Sequence, residues 1–168
     1  NIIGIEGSIL QSISHGFVAG GMFLLIGIVY DRYHSRLLYY YGGLVHMMPI
    51  YSGILLVFTM ANIALPGTSS FVGEFLLLLG IYKTNVLSAI VGALGVILCG
   101  AYSLWLYNRM IFGNLKTTFI VRFKDLNFLE FSILLPLLFF VIYMGVYPSF
   151  FSNFIHLSVC NLSLVTMY

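Results

Sequence analysis

The chain has 168 residues, of which 61% are hydrophobic and 7% charged, and its formal net charge is +2. Soluble domains carry about 25% charged residues, so this composition excludes a water-soluble globular domain and predicts a protein embedded in a lipid bilayer. No basic run points to nucleic acid. Cys99 and Cys160 lie far apart with no metal-binding spacing, which predicts packed thiols.

The start of the sequence gives a second expectation. Residue 1 is Asn, and neither a basic region nor an Arg- and Ser-rich transit segment precedes the first apolar run. We expect a chain that is made inside its own compartment, or one whose front part is missing, or both.

Four apolar segments follow in chain order, at residues 9–30, 47–82, 86–107 and 128–147. A membrane span needs about 20 residues, which the first, third and fourth segments supply. The second segment would be roughly 54 Å long as a straight helix, at about 1.5 Å per residue. Pro66-Gly67 divides it, because proline removes a backbone donor and glycine loosens the backbone. We predict two half-helices that make one crossing; a hairpin of two re-entrant pieces is the alternative.

These segments predict an all-α membrane protein with four transmembrane helices, the second of them broken near Pro66-Gly67. Residues 1–168 then form a single transmembrane unit. The tail after Pro148 is rich in Phe, Leu and Val and predicts a carboxy-terminal interfacial helix. A disordered end is the alternative for the tail.

The basic residues orient the spans. Arg32 and Arg36 follow the first segment, and the loop after the third holds Arg109, Lys116, Arg122 and Lys124. With four crossings, these two loops share one side, which leaves Lys83 alone on the other. Loops on the inner side of a membrane carry an excess of Lys and Arg. The uneven distribution of basic residues therefore predicts that these two loops lie on the inner side.

Glu74 is the one acid that falls deep within an apolar segment. Ionisable groups inside a membrane are costly and therefore indicate function. Thr68, Ser69 and Ser70 are expected to cap the second half-helix, and Glu74 follows in its first turns. The helix N-terminus favours the ionised carboxylate and desolvation favours the neutral acid, so the group can change its protonation state. The alternative is a glutamate held in one fixed internal pair.

His15 is the second candidate, about 9 Å into the first segment. Ser8, Gln11 (or Ser12) and His15 share one face of a helix. Under the predicted topology His15 and Glu74 lie at comparable depth, and a series of acids and histidines is typical of a proton relay. The alternative is a neutral histidine bonded to a neighbouring helix. No two histidines form a close ligand pair, so a metal site is not predicted.

Five stretches together resemble a known family. They are SHGFVAGGMFLLIGIVYDRYHSR (14–36), GGL (42–44), LPGTSSFVGEF (65–75), AYSLWLYNRMIFG (101–113) and GVYP (145–148). The chain resembles the carboxy-terminal part of NADH dehydrogenase subunit 4, an antiporter-like subunit in the membrane arm of respiratory complex I. The resemblance runs from about residue 6 to the tail.

This resemblance implies a fold of fourteen transmembrane helices, of which this chain supplies helices eleven to fourteen, with the second segment as the broken twelfth. It implies that Glu74 is the carboxylate that passes protons towards the outer side, and that His15 lies in the central polar axis. The remaining relay groups of the family have no counterpart here. A partner chain carrying the amino-terminal helices of subunit 4 is therefore expected.

The resemblance also implies the surroundings. We expect neighbouring antiporter-like subunits 2 and 5, other complex I subunits and membrane lipid as partners, and no nucleic acid. No cofactor is expected in this chain, since flavin, iron–sulfur clusters and quinone belong to other subunits. The implied location is the mitochondrial inner membrane, with the Arg32/Arg36 loop and the Arg109–Lys124 loop on the matrix side. The alternatives are a subunit of a multi-subunit sodium/proton antiporter and a purely structural scaffold.

Overall fold

The computed structural model describes residues 1–115 and 124–165, except for the side chains of 163–165. These residues form six α-helices and two single 3₁₀ turns, at Leu38–Tyr40 and Leu44–His46, and no strand. The helices are α1 (Ile2–Tyr33), α2 (Pro49–Asn62), α3 (Ser69–Tyr82), α4 (Val86–Ile111), α5 (Phe128–Val146) and α6 (Ser149–Val165). The all-α prediction is confirmed.

Helices α1, α4 and α5 are long and apolar enough to cross a membrane, while α2 and α3 are shorter apolar helices. α1 exceeds the predicted segment 9–30 at both ends. It begins early because the Asn1 side chain accepts a hydrogen bond from the Ile3 amide at 3.3 Å. It ends where His34 adopts a left-handed conformation with φ 51°. The added residues include Glu6, Ser8, Asp31 and Arg32, which interrupt the apolar run without interrupting the helix.

Helices α2 and α3 lie end to end along α1. Arg32 contacts Met48, the residue just before α2, and Ser14 contacts Ser69 on α3. Nearer the start of α1, the backbone at Gly4 approaches Gly80. In these contacts the residue numbers decrease along α1 while they increase from α2 to α3. Both halves therefore run antiparallel to α1, one after the other. The predicted break of the second segment is confirmed, and this arrangement favours one crossing over the hairpin alternative.

Residues 63–68 form the break. The amide of Leu65 bonds to the carbonyl of Met60 at 3.1 Å, and that of Ala64 bonds to Ala61 at 3.1 Å, which is the Schellman pattern of a helix end. Ala64 takes the left-handed conformation, with φ 60°, that glycine usually supplies in this motif. Pro66 and Gly67, with φ 96° at Gly67, then form a turn that the Thr68 amide closes on Leu65 at 3.0 Å.

Glycine brings α1 and α3 unusually close together. A methyl group at Gly7 would lie 2.8 Å from the Leu77 nitrogen, and one at Gly73 would lie 2.8 Å from the Gln11 backbone nitrogen. The spacing of Gly16 and Gly20, and of Gly92 and Gly95, also predicts helices that pack against others. Within the described part of the chain a methyl group at Gly92 would lie 3.3 Å from Leu78, whereas Gly16, Gly20 and Gly95 face open space.

The remaining helices complete the bundle. α4 packs against α2 and α3, and α5 packs against α1 and α3. Tyr51 and Phe58 of α2 are fully buried in the main core, with Leu25 from α1, Ile111 from α4 and Leu134 from α5. This core surrounds α2, so the half of the bundle that contains α2 is the better packed half.

The two basic loops meet at one end of the bundle, as predicted. The Arg32 guanidinium forms an ion pair with Glu130 at 2.6 Å and donates to the Lys124 and Asp125 carbonyls. The Asp125 carboxylate accepts from the Ile50 amide at 3.0 Å and the Tyr51 amide at 3.2 Å, and so caps α2. Lys116 and Arg122 lie outside the described residues. Lys83 follows α3 at the opposite end, where Asn1 contacts Gly80.

The tail forms helix α6, so the disordered alternative is wrong for residues 149–165. His156 of α6 pairs with Glu6 of α1 at 2.5 Å, and Val159 is buried. Its interfacial position stays a prediction.

Candidate functional site

Glu74 lies in the second turn of α3, just after the break, and its side chain is half-buried. The predicted caps at the start of this helix are wrong. Thr68 occupies the N-cap position without a side-chain capping bond, because its hydroxyl donates backwards to the Leu65 carbonyl at 2.7 Å. Ser69 and Ser70 are buried and turn towards α1.

Gln11 of α1 reaches across to Glu74. Its Nε2 donates to Glu74 Oε1 at 3.1 Å. The ion pairs within residues 1–115 and 124–165 are Arg32–Glu130 and Glu6–His156, so Glu74 is not paired with a cation there. An amide partner leaves the carboxyl free to gain or lose a proton without breaking a salt bridge.

Three buried serines tie α1 to the start of α3. Ser14 Oγ lies 2.6 Å from Ser69 Oγ and 3.0 Å from Ser70 Oγ. Hydroxyl groups both donate and accept, so the cluster satisfies itself inside an apolar bundle. Ser14 stands one helical turn from Gln11, and the cluster therefore sets the register at which Gln11 meets Glu74.

Glu74 also faces a partly open cavity of about 230 Å³ between α3 and α4. We call it the Glu74 cavity. Asn62 and Ile63 line it from the end of α2, and Gly92, Gly95, Val96 and Cys99 line it from α4. Its volume holds several water molecules at about 30 Å³ each. The carboxyl thus has a buried amide on one side and space for solvent on the other.

His15 follows Ser14 on α1, and its side chain is exposed in this chain. It lies one turn beyond Gln11, at a depth close to that of Glu74. No hydrogen bond joins His15 to Glu74 or to another described residue. Ser8 and Ser12 are exposed on the same side, so the predicted polar face exists, but Gln11 turns from it towards α3.

The assembled groups suit proton transfer better than metal or nucleophilic chemistry. One carboxyl, one amide and three hydroxyls converge near a cavity, with a histidine close by. In the described part of the chain, no three His, Cys, Asp or Glu side chains converge to hold a metal ion. Cys99 and Cys160 are both half-buried, and Cys160 Sγ lies 3.5 Å from His156 Nε2.

The roles of Gln11, Ser14 and Asn62 are missed by reasoning from single residues. Gln11 and Ser14 are polar residues within an otherwise apolar helix, close to His15. Their polarity is the signal from which both could have been predicted. Asn62 becomes relevant only once the bundle folds, because the cavity joins the end of α2 to α4.

The fold and site define an all-α, multi-pass membrane protein whose broken helix carries a half-buried carboxyl. A family model described as "NADH:quinone oxidoreductase/Mrp antiporter, TM" matches residues 1–100. The chain belongs to this transmembrane family.

Individual relatives are consistent with this assignment. The chain is 57% identical over 162 residues to NADH-ubiquinone oxidoreductase chain 4 of Marchantia polymorpha, covering 96% of this chain and 33% of that protein. It is 48% identical over 159 residues to NADH-quinone oxidoreductase subunit M of Rhodobacter capsulatus, covering 95% and 31%. The resemblance to subunit 4 is confirmed. The chain spans about a third of the length of the curated relatives it matches.

The fold has a solved counterpart. A chain of respiratory complex I from Thermus thermophilus with bound NADH superposes with a TM-score of 0.88 at 31% identity, covering 94% of this chain and 33% of that chain. The broken crossing, the helix order and the packing described above therefore belong to a known architecture.

Proposed function

We propose that this chain is a proton-translocating component of the membrane arm of NADH:ubiquinone oxidoreductase. It takes part in that enzyme as a non-redox subunit, without a complete active site of its own. Flavin, iron–sulfur clusters and quinone act in other subunits. The names of its relatives and the complex I fold match support this proposal.

The position of Glu74 is the observation that carries the proposal. The carboxyl lies directly after a helix break, accepts a bond from an amide and borders a cavity. Broken membrane helices expose backbone polar groups where ions or protons pass. Glu74 receives a proton from the interior of the subunit and releases it through the Glu74 cavity towards the outer side.

His15 delivers the proton from the other side. It lies near the depth of Glu74 on the exposed polar face of α1. A polar face is unstable against lipid, so protein must cover it in the assembled complex. We assign that cover to the amino-terminal helices of the same subunit, with the remaining relay groups. Antiporter-like subunits 2 and 5 are the expected neighbours.

The sodium/proton antiporter alternative shares the broken helix and the buried acid, and the family description includes Mrp antiporters. The relatives at 57% and 48% identity are named as NADH oxidoreductase subunits. They favour the respiratory assignment. Co-migration of this chain with NADH-oxidising activity on a native gel separates the two.

Glu74→Gln tests the proposal directly. The amide keeps the size and the polar contact but cannot release a proton, so the complex assembles and moves fewer protons per NADH oxidised. Proton uptake by inverted membrane vesicles measures this, with Glu74→Asp as the matched control that keeps an acid. Full pumping by Glu74→Gln removes the residue from the path.

The proposed orientation has its own test. With Cys99 and Cys160 replaced by serine, a cysteine is placed at His34 or at Thr84, at opposite ends of the bundle. We expect a membrane-impermeant thiol reagent to label the position-34 cysteine from the matrix side and the position-84 cysteine from the outer side of the mitochondrial inner membrane. The reverse pattern overturns the assignment.

A further inference from the structure

Only one of the two polar atoms of the Gln11 side-chain amide forms a hydrogen bond within residues 1–115 and 124–165. Its Nε2 donates to Glu74 Oε1 at 3.1 Å, but its Oε1 is buried and has no hydrogen-bond partner within the described part of the chain. A buried acceptor without a partner is unusual and calls for an explanation. Glu74 is the polar group at this end of the Gln11 side chain that can supply one.

The Gln11 side chain occupies a slot beside Gly73, a space that exists because glycine has no side chain. A methyl group at Gly73 would lie 2.6 Å from Gln11 Oε1, so a larger residue there would expel the amide. Gly73 precedes Glu74, and the slot and the carboxyl are consequently held together by one turn of α3. The three buried serines Ser14, Ser69 and Ser70, which we call the Ser14 cluster, fix the neighbouring turn of α1.

The two protonation states of Glu74 require opposite partners. An ionised carboxylate only accepts hydrogen bonds, while a protonated carboxyl group also donates one. A glutamine amide offers a donor and an acceptor at the same distance from its backbone, and its terminal torsion is soft and roughly two-fold. A turn of about 180° about this torsion exchanges Nε2 and Oε1.

We propose that Gln11 is a positioning residue that holds Glu74 in both protonation states by turning its amide. Nε2 donates to the ionised carboxylate, and Oε1 accepts from the protonated acid. The unpartnered Oε1 of the present structure is the atom kept for the second state. The carboxyl therefore keeps one place beside the Glu74 cavity through a cycle of uptake and release. This inference rests on the relay role proposed for Glu74.

The test uses the carbonyl stretch of protonated Glu74 in the intact complex. An infrared difference spectrum between acidic and alkaline buffer shows this band, which is assigned by its loss in Glu74→Gln. Gln11→Met keeps the length of the side chain and removes both the donor and the acceptor. We expect the band to move to higher frequency, as for a carboxyl without a partner, and proton transfer to fall about ten-fold.

Two further variants make the result specific. Ser132→Ala alters an exposed residue of α5, whose hydroxyl donates to the Leu129 carbonyl at 2.8 Å, and it should leave both the band and pumping unchanged. Gln11→Asn keeps the amide but is too short to reach, and should shift the band as Gln11→Met does. It also supplies the measurement if Gln11→Met does not assemble.

The outcomes separate the two proposals. Full pumping by Glu74→Gln overturns the relay role of Glu74. Impaired pumping by Glu74→Gln, together with an unshifted band and normal pumping in the Gln11 variants, overturns the role of Gln11 alone.

Discussion

At the residue scale, the unusual positions gather around the break and its contact with α1. Ala64 holds a left-handed conformation, with φ 60°, and the Ser14 cluster buries three hydroxyls. Glu74 joins them as a half-buried carboxyl. The left-handed alanine and the half-buried carboxyl each cost free energy in an otherwise apolar bundle, which is consistent with a functional site. The sequence predicts Glu74 and the break, because an acid and a Pro-Gly pair stand out in an apolar run. The partners of Glu74 depend on interhelical register, which hydropathy does not contain.

Ala64→Gly should stabilise the protein by up to about 1 kcal/mol, because glycine has no β-carbon to strain in the left-handed region. Ala64→Val should have the opposite effect. The midpoint of thermal unfolding of the purified complex measures both. A lower midpoint for Ala64→Gly would contradict the assigned Schellman ending of α2.

Ser14→Ala should destabilise the protein by about 1–3 kcal/mol, because the hydroxyls of Ser69 and Ser70 lose their buried partner. Ser12→Ala is the control, since Ser12 is exposed and bonds only to its own helix. The comparison uses the yield of assembled complex and its unfolding midpoint. Equal effects of the two changes would exclude a structural role for the cluster.

At the element scale, close approach by glycine explains why α1 follows the broken helix through both halves. The sequence predicts the elements well: the four apolar segments correspond to α1, the α2–α3 pair, α4 and α5. It does not predict which glycines meet a neighbouring helix of this chain, because spacing alone does not tell which face of a helix is covered. Gly7 and Gly73 lie at the contact, whereas Gly16 and Gly20 face open space in this chain.

Gly7→Ala should prevent normal packing of α1 on α3, because the added methyl group would lie 2.8 Å from the Leu77 backbone nitrogen. Backbone cannot move aside cheaply, so we expect a loss of several kcal/mol, in the upper range for overpacking. Gly53→Ala, where nothing lies within 4 Å, is the control and should be neutral. The amount of assembled complex on a native gel is the measurement.

Gly95→Leu should obstruct the Glu74 cavity, because Gly95 lines it and has open space in front. Proton transfer should fall while assembly is retained. Ala93→Leu fills the separate apolar groove between α3 and α4 and should leave transfer unchanged. Normal pumping by Gly95→Leu would show that protons leave Glu74 by another route.

At the scale of the whole molecule, one charged cluster joins the ends of three helices. Arg32 of α1 bonds to the segment before α5 and to Glu130 of α5, while Asp125 caps α2. The charge bias of the loops predicts correctly that Arg32 and Lys124 share an end of the bundle. It does not predict this network, because a count of charges carries no geometry.

Arg32→Met should reduce assembly, because Glu130 is left partly buried without its cation, at a cost of several kcal/mol. The double variant Arg32→Met/Glu130→Gln should recover part of the loss, since no uncompensated charge remains. Thermal unfolding of both variants and of Glu130→Gln completes a double-mutant cycle. Strict additivity would indicate that the pair is not coupled.

The end of α5 rests on the break itself. A methyl group at Gly145 would lie 2.3 Å from the Gly67 carbonyl oxygen, so almost no clearance separates the last turn of α5 from the Pro66-Gly67 turn. Any rearrangement of that turn must therefore displace the end of α5, and with it helix α6 that follows. Because α6 packs against α1, the turn that precedes the Glu74 helix is mechanically linked to both ends of the same helix pair.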